Sequence, residues 1–186
     1  MKNDKKLRRQ YMLNVLKNNE LKFEKENSIY QHLIHHPKFD NAQSIGITLS
    51  MDHEVDTDFI IRYALTQGKK VYVPKCNYKT KQMTFVRYTK PDDLIIDDYG
   101  IESMNHEIEI GTQPDLLIVP GVIFNKEGYR IGYGGGYFDK YLSQFNGETL
   151  SILFDFQIDD VPVEPHDIPV QTLITNKKRI EVEVYE

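Results

Sequence analysis

The segment from Asp115 to Leu142, DLLIVPGVIFNKEGYRIGYGGGYFDKYL, constrains this chain more than any other. Leu116–Pro120 is a continuous apolar run, the pattern of a parallel strand buried on both faces. It leads into a glycine-rich loop and then a short helix predicted over Tyr137 to about Gln144. Five of the eleven glycines stand at positions 128, 132, 134, 135 and 136. In an open α/β sheet such a loop lies outside the carboxyl ends of the strands, where ligands bind. Without Cβ atoms its amides can approach an anion, and the helix start adds partial positive charge. A phosphate-bearing ligand is the first expectation. No Gly-Lys-Ser/Thr follows the glycines, so this is not a Walker loop. Tyr137 occupies the last glycine position of GxGxxG, so it is not a dinucleotide fingerprint.

The rest of the chain supports a mostly parallel sheet. Ser44–Ser50 and Lys70–Pro74 are β-prone runs around a predicted helix capped by Asp56 or Thr57 and carrying Phe59, Ile60, Tyr63 and Ala64. Strand, helix, strand implies a right-handed βαβ crossover. Met83–Tyr88 is an added strand, Thr149–Phe154 and Val170–Thr175 follow the glycine loop, and Ile180, Val182 and Val184 alternate as an edge strand. Before these, Leu7, Tyr11 and Val15, with Met12 and Leu16 widening the stripe, predict a helix from Lys2 to Lys25, and Ser28–His35 a second, capped by Asn27 or Ser28.

Composition narrows the class. At 186 residues a single domain spanning 1–186 is expected. Charged residues at 27% with no apolar run of about 18 argue against a membrane protein, and no signal-peptide pattern opens the chain. Lone Cys76 excludes a disulfide framework and reads as packing. From those absences a cytoplasmic protein is expected, and a monomer; a net charge of −5 argues against a nucleic-acid coat. The acids gather in Asp92–Asp115, with eight carboxylates and no Lys or Arg, read as a solvated excursion. Lys2–Lys17, by contrast, carries six Lys/Arg and one acid, which tilts toward anion binding.

Single residues stay open at this level. Asp139 is either a helix-dipole partner or a Mg²⁺ ligand, and Asp167 in VPVEPHDIPV is its candidate companion. Glu54 in LSMDHEVDTDFI follows a strand end, where a ligand carboxylate or a plain loop acid both fit. Tyr129, Tyr133 and Tyr137 could flank a flat ring. His35, His36, His53, His106 and His166 read as structural or surface residues.

GYRIGYGGGYFDKYL resembles the signature of the 5-formyltetrahydrofolate cyclo-ligases, also called methenyltetrahydrofolate synthetases. LSMDHEVDTDFI, VPVEPHDIPVQTLIT and KKLRRQYM resemble three further blocks of that family, in the same order along nearly the whole chain. The resemblance implies conversion of 5-formyltetrahydrofolate, with or without a polyglutamate tail, to 5,10-methenyltetrahydrofolate. ATP is the co-substrate and Mg²⁺ the cofactor. It implies a single α/β domain with a mostly parallel sheet, helices on both faces, and likeness to sugar-phosphate isomerases and CoA-transferases. By the family pattern Arg130, Ile131, Gly132, Tyr133, Gly134, Gly135, Gly136, Tyr137 and Phe138 form the ATP loop, with Arg130, Tyr133 and Tyr137 in the catalytic set. Lys5 and Arg9 match basic ATP contacts, with Arg8 as the alternative in register. Leu49 and Glu54 match the folate pocket, and residues 133–137 lie between nucleotide and folate. Asp139 and Asp167 match the metal carboxylates.

Two departures stand out: many members carry Arg where this chain has Tyr133, and some carry Lys where it has Gly135, so Arg130, Lys126 or Lys140 would have to compensate. The competing readings are a non-enzymatic phosphosugar or nucleotide sensor on the same architecture, and a folate binder without ATP turnover.

Overall fold

The structure, a computed structural model, describes residues 2–89, 94–96, 101–104 and 113–182. Five α-helices are present among them: α1 (Lys2–Lys17), α2 (Lys22–Ile34), α3 (Pro37–Asn41), α4 (Asp58–Thr66) and α5 (Tyr137–Leu142). The strands are β1 (Ser44–Gly46), β2 (Lys70–Asn77), β3 (Gln82–Arg87), β4 (Leu94–Ile96), β5 (Glu102–Met104), β6 (Leu116–Ile118), β7 (Ile123–Phe124), β8 (Arg130–Ile131), β9 (Glu148–Ile152), β10 (Thr172–Ile174) and β11 (Arg179–Glu181). Seven of them form one sheet in the order β11-β10-β9-β6-β1-β2-β3. The five inner strands run parallel, and β11 and β3 close the two edges antiparallel. β4–β5 and β7–β8 are separate two-stranded pairs.

Alternation along the inner strands builds two cores. On β6 and just beyond, Leu116 and Ile118 join one core while Leu117 and Val119 join the other. On β2, Val71 and Val73 face the first core and Tyr72 the second. The first core takes Met12 and Leu16 from α1, Ile29 and Leu33 from α2, and Ile60, Ile61 and Ala64 from α4. The second takes Leu142 from α5, with Tyr137, Phe138 and Tyr141 packed against it. Helices therefore cover both faces, which explains why the β6 run is apolar without interruption.

β1–α4–β2 is the expected crossover unit, with Ile45 beside Val71 in a parallel register. At the start of α4 the two cap candidates divide the work. The Asp56 carboxylate accepts from the Asp58 amide at 3.0 Å, while the Thr57 hydroxyl donates to the Thr48 carbonyl at 2.8 Å. Thr149–Phe154 and Val170–Thr175 are realised as the shorter β9 and β10. β11 holds Ile180 at the edge; Val184 and most of the acidic Asp92–Asp115 run lie outside the described residues.

The N-terminal helices differ from the sequence expectation. One helix does not run from Lys2 to Lys25: α1 stops at Lys17, Leu21 turns left-handed at φ 56°, and α2 begins at Lys22. Ser28 is inside α2 rather than its cap, with its hydroxyl bonded back to the Glu24 carbonyl. The phase of the core positions explains the break. From Leu16 to Ile29 a continuous helix would turn by roughly 220°, carrying Ile29 to the far side. Within the predicted stripe Met12 and Leu16 are buried as expected, whereas Leu7 and Tyr11 are exposed.

Candidate active site

The inward stripe of α1 continues beyond the core. Lys5, Arg9, Met12 and Leu16 are spaced four, three and four apart, so they share one helix face. Its C-terminal half packs on the sheet, and its N-terminal half presents two cations to a cleft of about 500 Å³. That cleft lies where the parallel strands end. Thr48, Leu49, Met51 and Glu54 enter it after β1, Pro74, Lys75 and Cys76 from the end of β2, and Pro120 after β6.

The glycine loop forms the other wall. It does not follow β6 directly, because the β7–β8 hairpin intervenes, so the loop leaves β8 and enters α5. Gly128, grouped with the loop glycines by composition, turns that hairpin instead and is absent from the cleft lining. Ile131, Gly132, Tyr133, Gly134, Gly135, Gly136, Tyr137 and Phe138 all line the cleft. Gly136 stands at φ 76° immediately before α5, a left-handed conformation that a side chain would strain.

Charge in the cleft is arranged in pairs. Arg9 Nε donates to the Gly132 carbonyl at 2.7 Å, tying α1 to the loop. The Arg130 side chain is only 5% exposed and donates through Nη2 to Asp139 at 3.2 Å. Burial pushes its pKa down, and the charges of Asp139 and Asp167 work against that. Its guanidinium also lies 5.7 Å from the Phe138 ring centre, and its Nε has no hydrogen-bond partner among the described residues. Lys5 reaches Glu164 at 3.6 Å. The Tyr133 hydroxyl meets His53 Nε2 at 2.7 Å, and burial, followed by the Glu54 charge, pushes its pKa well above the usual phenol value. Tyr137 packs edge-on against Tyr78.

A divalent metal fits the donors present. Asp139 and Asp167 both line the cleft beside the loop, and both act on the buried Arg130. Hard carboxylate oxygens are the donors magnesium prefers, and one or two suffice when substrate phosphates complete the shell. Asp167 also holds its own loop, accepting from the Glu164 amide at 2.8 Å.

The site residues expected from sequence line the cleft except Arg8 and Tyr129. Arg8 turns to Asp4 and to the Asp160 carbonyl instead. Neither Lys126 nor Lys140 lines it. Lys75, Cys76 and Tyr78 were not foreseen as site residues. Strand polarity was the available signal, since Lys70–Pro74 read as a parallel strand and the next residues fall at its ligand-bearing end.

Residues 1–176 match the model of the 5-formyltetrahydrofolate cyclo-ligase family. The chain belongs to that family. The 5-formyltetrahydrofolate cyclo-ligase of Mus musculus is 31% identical over 159 residues, covering 77% of this chain and 78% of the mouse protein. The cyclo-ligase of Escherichia coli K12 is 29% identical over 149 residues, 74% and 80% of the two chains. The NMR structure of Aquifex aeolicus 5,10-methenyltetrahydrofolate synthetase superposes with a TM-score of 0.83 at 25% identity, over 98% of this chain and 94% of that one. A Mycoplasma pneumoniae synthetase shares the fold at a TM-score of 0.71 and 23% identity, over 93% and 99%. This member of the cyclo-ligase family is an enzyme, and all four of its family-like blocks meet in one cleft. Among the described residues no helix is long and apolar enough to cross a membrane.

Proposed function

We infer that the chain converts 5-formyltetrahydrofolate to 5,10-methenyltetrahydrofolate, cleaving ATP to ADP and phosphate with Mg²⁺ present. The observation behind this reading is the single cleft in which a glycine loop, three α1 and β8 cations, the Glu54 carboxylate and two further carboxylates converge. The family and its synthetase relatives supply the reaction class.

The formyl oxygen is a poor leaving group. Its attack on the γ-phosphorus expels ADP and turns that oxygen into a phosphate ester. N10 of the same folate then attacks the formyl carbon, the C–O bond breaks with loss of phosphate, and the N10 proton passes to that phosphate or to water. The protein's contribution is position and charge neutralisation. Lys5, Arg9 and the amides of 132–136 hold the triphosphate, and Arg130 opposes the charge that develops at the transferred group. Leu49 packs on the pterin and Glu54 accepts from its N–H groups. Tyr133 and Tyr137 separate the two substrates and exclude water. Asp139 and Asp167 would hold Mg²⁺, which would neutralise phosphate charge when bound. The whole chain acts as one cyclo-ligase domain, a cytoplasmic monomer working on small molecules.

The test is an absorbance assay for the methenyl product with purified protein, 5-formyltetrahydrofolate and Mg-ATP. Product that requires ATP is expected, and its absence overturns the reading.

A further inference from the structure

The two cations that α1 presents to the cleft are tied to different walls. Arg9 is bonded to the glycine loop through the Gly132 carbonyl at 2.7 Å. Lys5 lies one helical turn away, about 6 Å along the axis. Its Nζ is 3.6 Å from Glu164 Oε1, in the loop that carries Asp167. Lys5 and Asp167 line the cleft, and Glu164 does not. Glu164 can therefore act on a bound ligand only through the residues it holds.

Residues 164–167 form a closed turn. The Glu164 amide donates to Asp167 Oδ2 at 2.8 Å, and the Asp167 amide donates to the Glu164 carbonyl at 3.0 Å. Both bonds use the backbone of Glu164, so its side chain is left to reach outward. Its Oε2 faces the exposed His166 at 3.2 Å, and its Oε1 faces Lys5. Three residues along α1 from Lys5, Arg8 donates to the Asp160 carbonyl at 2.9 Å. Links at 160 and 164 thus fasten the start of α1 to the segment that leads to Asp167. The Lys5 and Glu164 side chains are 23% and 32% exposed, so the pair is partly shielded from water. An ammonium has three N–H donors, and a pair with one carboxylate oxygen leaves others for phosphate. A lysine already held also spares the ligand the cost of ordering a flexible side chain.

We propose that Glu164 is a positioning residue for Mg-ATP: its carboxylate holds the Lys5 ammonium at the cleft wall on the loop of Asp167, so that a phosphate-binding cation and a metal carboxylate are set together before the nucleotide arrives. The proposal deepens the function inferred above and rests on it for the identity of the nucleotide.

The experiment compares Glu164→Gln, Lys5→Met and the double variant Lys5→Met/Glu164→Gln with the wild-type protein. Calorimetric titration with Mg-ATP, steady-state kinetics and thermal melts are run on each. Glu164→Gln removes the charge and keeps the backbone bonds of the 164–167 turn. Its Kd for Mg-ATP and its KM for ATP should each rise about fivefold, the scale of ordering one long side chain. The KM for 5-formyltetrahydrofolate should change less than about twofold. The double variant should bind Mg-ATP no more weakly than Lys5→Met alone, since Glu164 acts through Lys5. An ion pair that served stability alone would lower the melting temperature and leave Mg-ATP affinity unchanged, which overturns the proposal. Tighter Mg-ATP binding in Glu164→Gln overturns it too, because the carboxylate would then compete with the triphosphate for Lys5. Additive losses in the double variant do the same. If the wild-type protein binds Mg-ATP and makes no methenyl product, the functional reading fails while the binding cycle still decides the role of Glu164. Wild-type protein that does not bind Mg-ATP overturns both.

Discussion

The guanidinium of Arg130 lies 3.2 Å from the carboxylate of Asp139, so the strand entering the glycine loop is ion-paired to the helix leaving it. The two partners are unequally placed: Arg130 is 5% exposed and Asp139 50%. The pair thus neutralises a buried cation with an acid that still reaches the cleft.

Asp139→Asn leaves Arg130 with Asp167 as its remaining carboxylate. Half-exposure of Asp139 limits the stability loss to about 1 kcal/mol, since solvent screens its side of the pair. Mg-ATP affinity should fall further than folate affinity. Thermal melts read the first effect and separate titrations of the two ligands read the second; equal Mg-ATP affinity with unchanged turnover would remove Asp139 from the metal role.

Arg9 and Arg8 are neighbours with different tasks. Arg9→Ala removes the 2.7 Å bond to the Gly132 carbonyl and a cleft cation, so the KM for ATP should rise about tenfold. Arg8→Ala removes bonds to Asp4 and Asp160 away from the cleft lining and should shift that KM less than about threefold. Steady-state kinetics on the two variants is sufficient, and the reverse order would exchange their roles.

Two glycines predict opposite kinds of damage. Gly128 is at φ 87°, and a methyl there would run into the Val170 carbonyl, so Gly128→Ala should destabilise the fold by more than about 2 kcal/mol. Gly136 is at φ 76° with open space around it, so Gly136→Ala carries only backbone strain, about 1 kcal/mol. Its larger effect should be on ATP binding, because the strain sits where the loop meets α5. Urea denaturation together with ATP titration separates the two.

Acid sensitivity should be centred partly on the edge strand. Burial alone would raise the Glu181 carboxyl, but bonds from His36 and Thr172 and the charges of His36 and Lys38 outweigh it and hold its pKa below the usual 4.5. Unfolded chains then bind more protons than folded ones at the same pH. The contribution is therefore complete above about pH 4.5 and is lost as pH falls through the lower folded value. Stability measured from pH 6 to pH 3 should decline more gently in Glu181→Gln than in the parent.

Much of the fold was readable because its signals are local. The apolar run Leu116–Pro120, the alternation of the edge strand and the β1–α4–β2 order are each set by a few consecutive residues and by strand period. The glycine loop was readable for the same reason, since anion-binding backbone needs glycine wherever the side chain is located. The break at Leu21 was not, because the stripe of α1 runs on smoothly and only the phase of Ile29 against the sheet demands a new helix.

Sequence by itself determined an α/β chain with a glycine-loop anion site and a basic first helix, all properties of short windows with their own turn chemistry and periodicity. Tertiary structure alone decided that Arg9 rather than Arg8 enters the cleft, that Lys75 and Cys76 line it, and that His53 meets Tyr133. Helix rotation is set by what the opposite end of α1 must bury, and strand order brings together residues as far apart as Lys5 and Asp167, which no local pattern encodes.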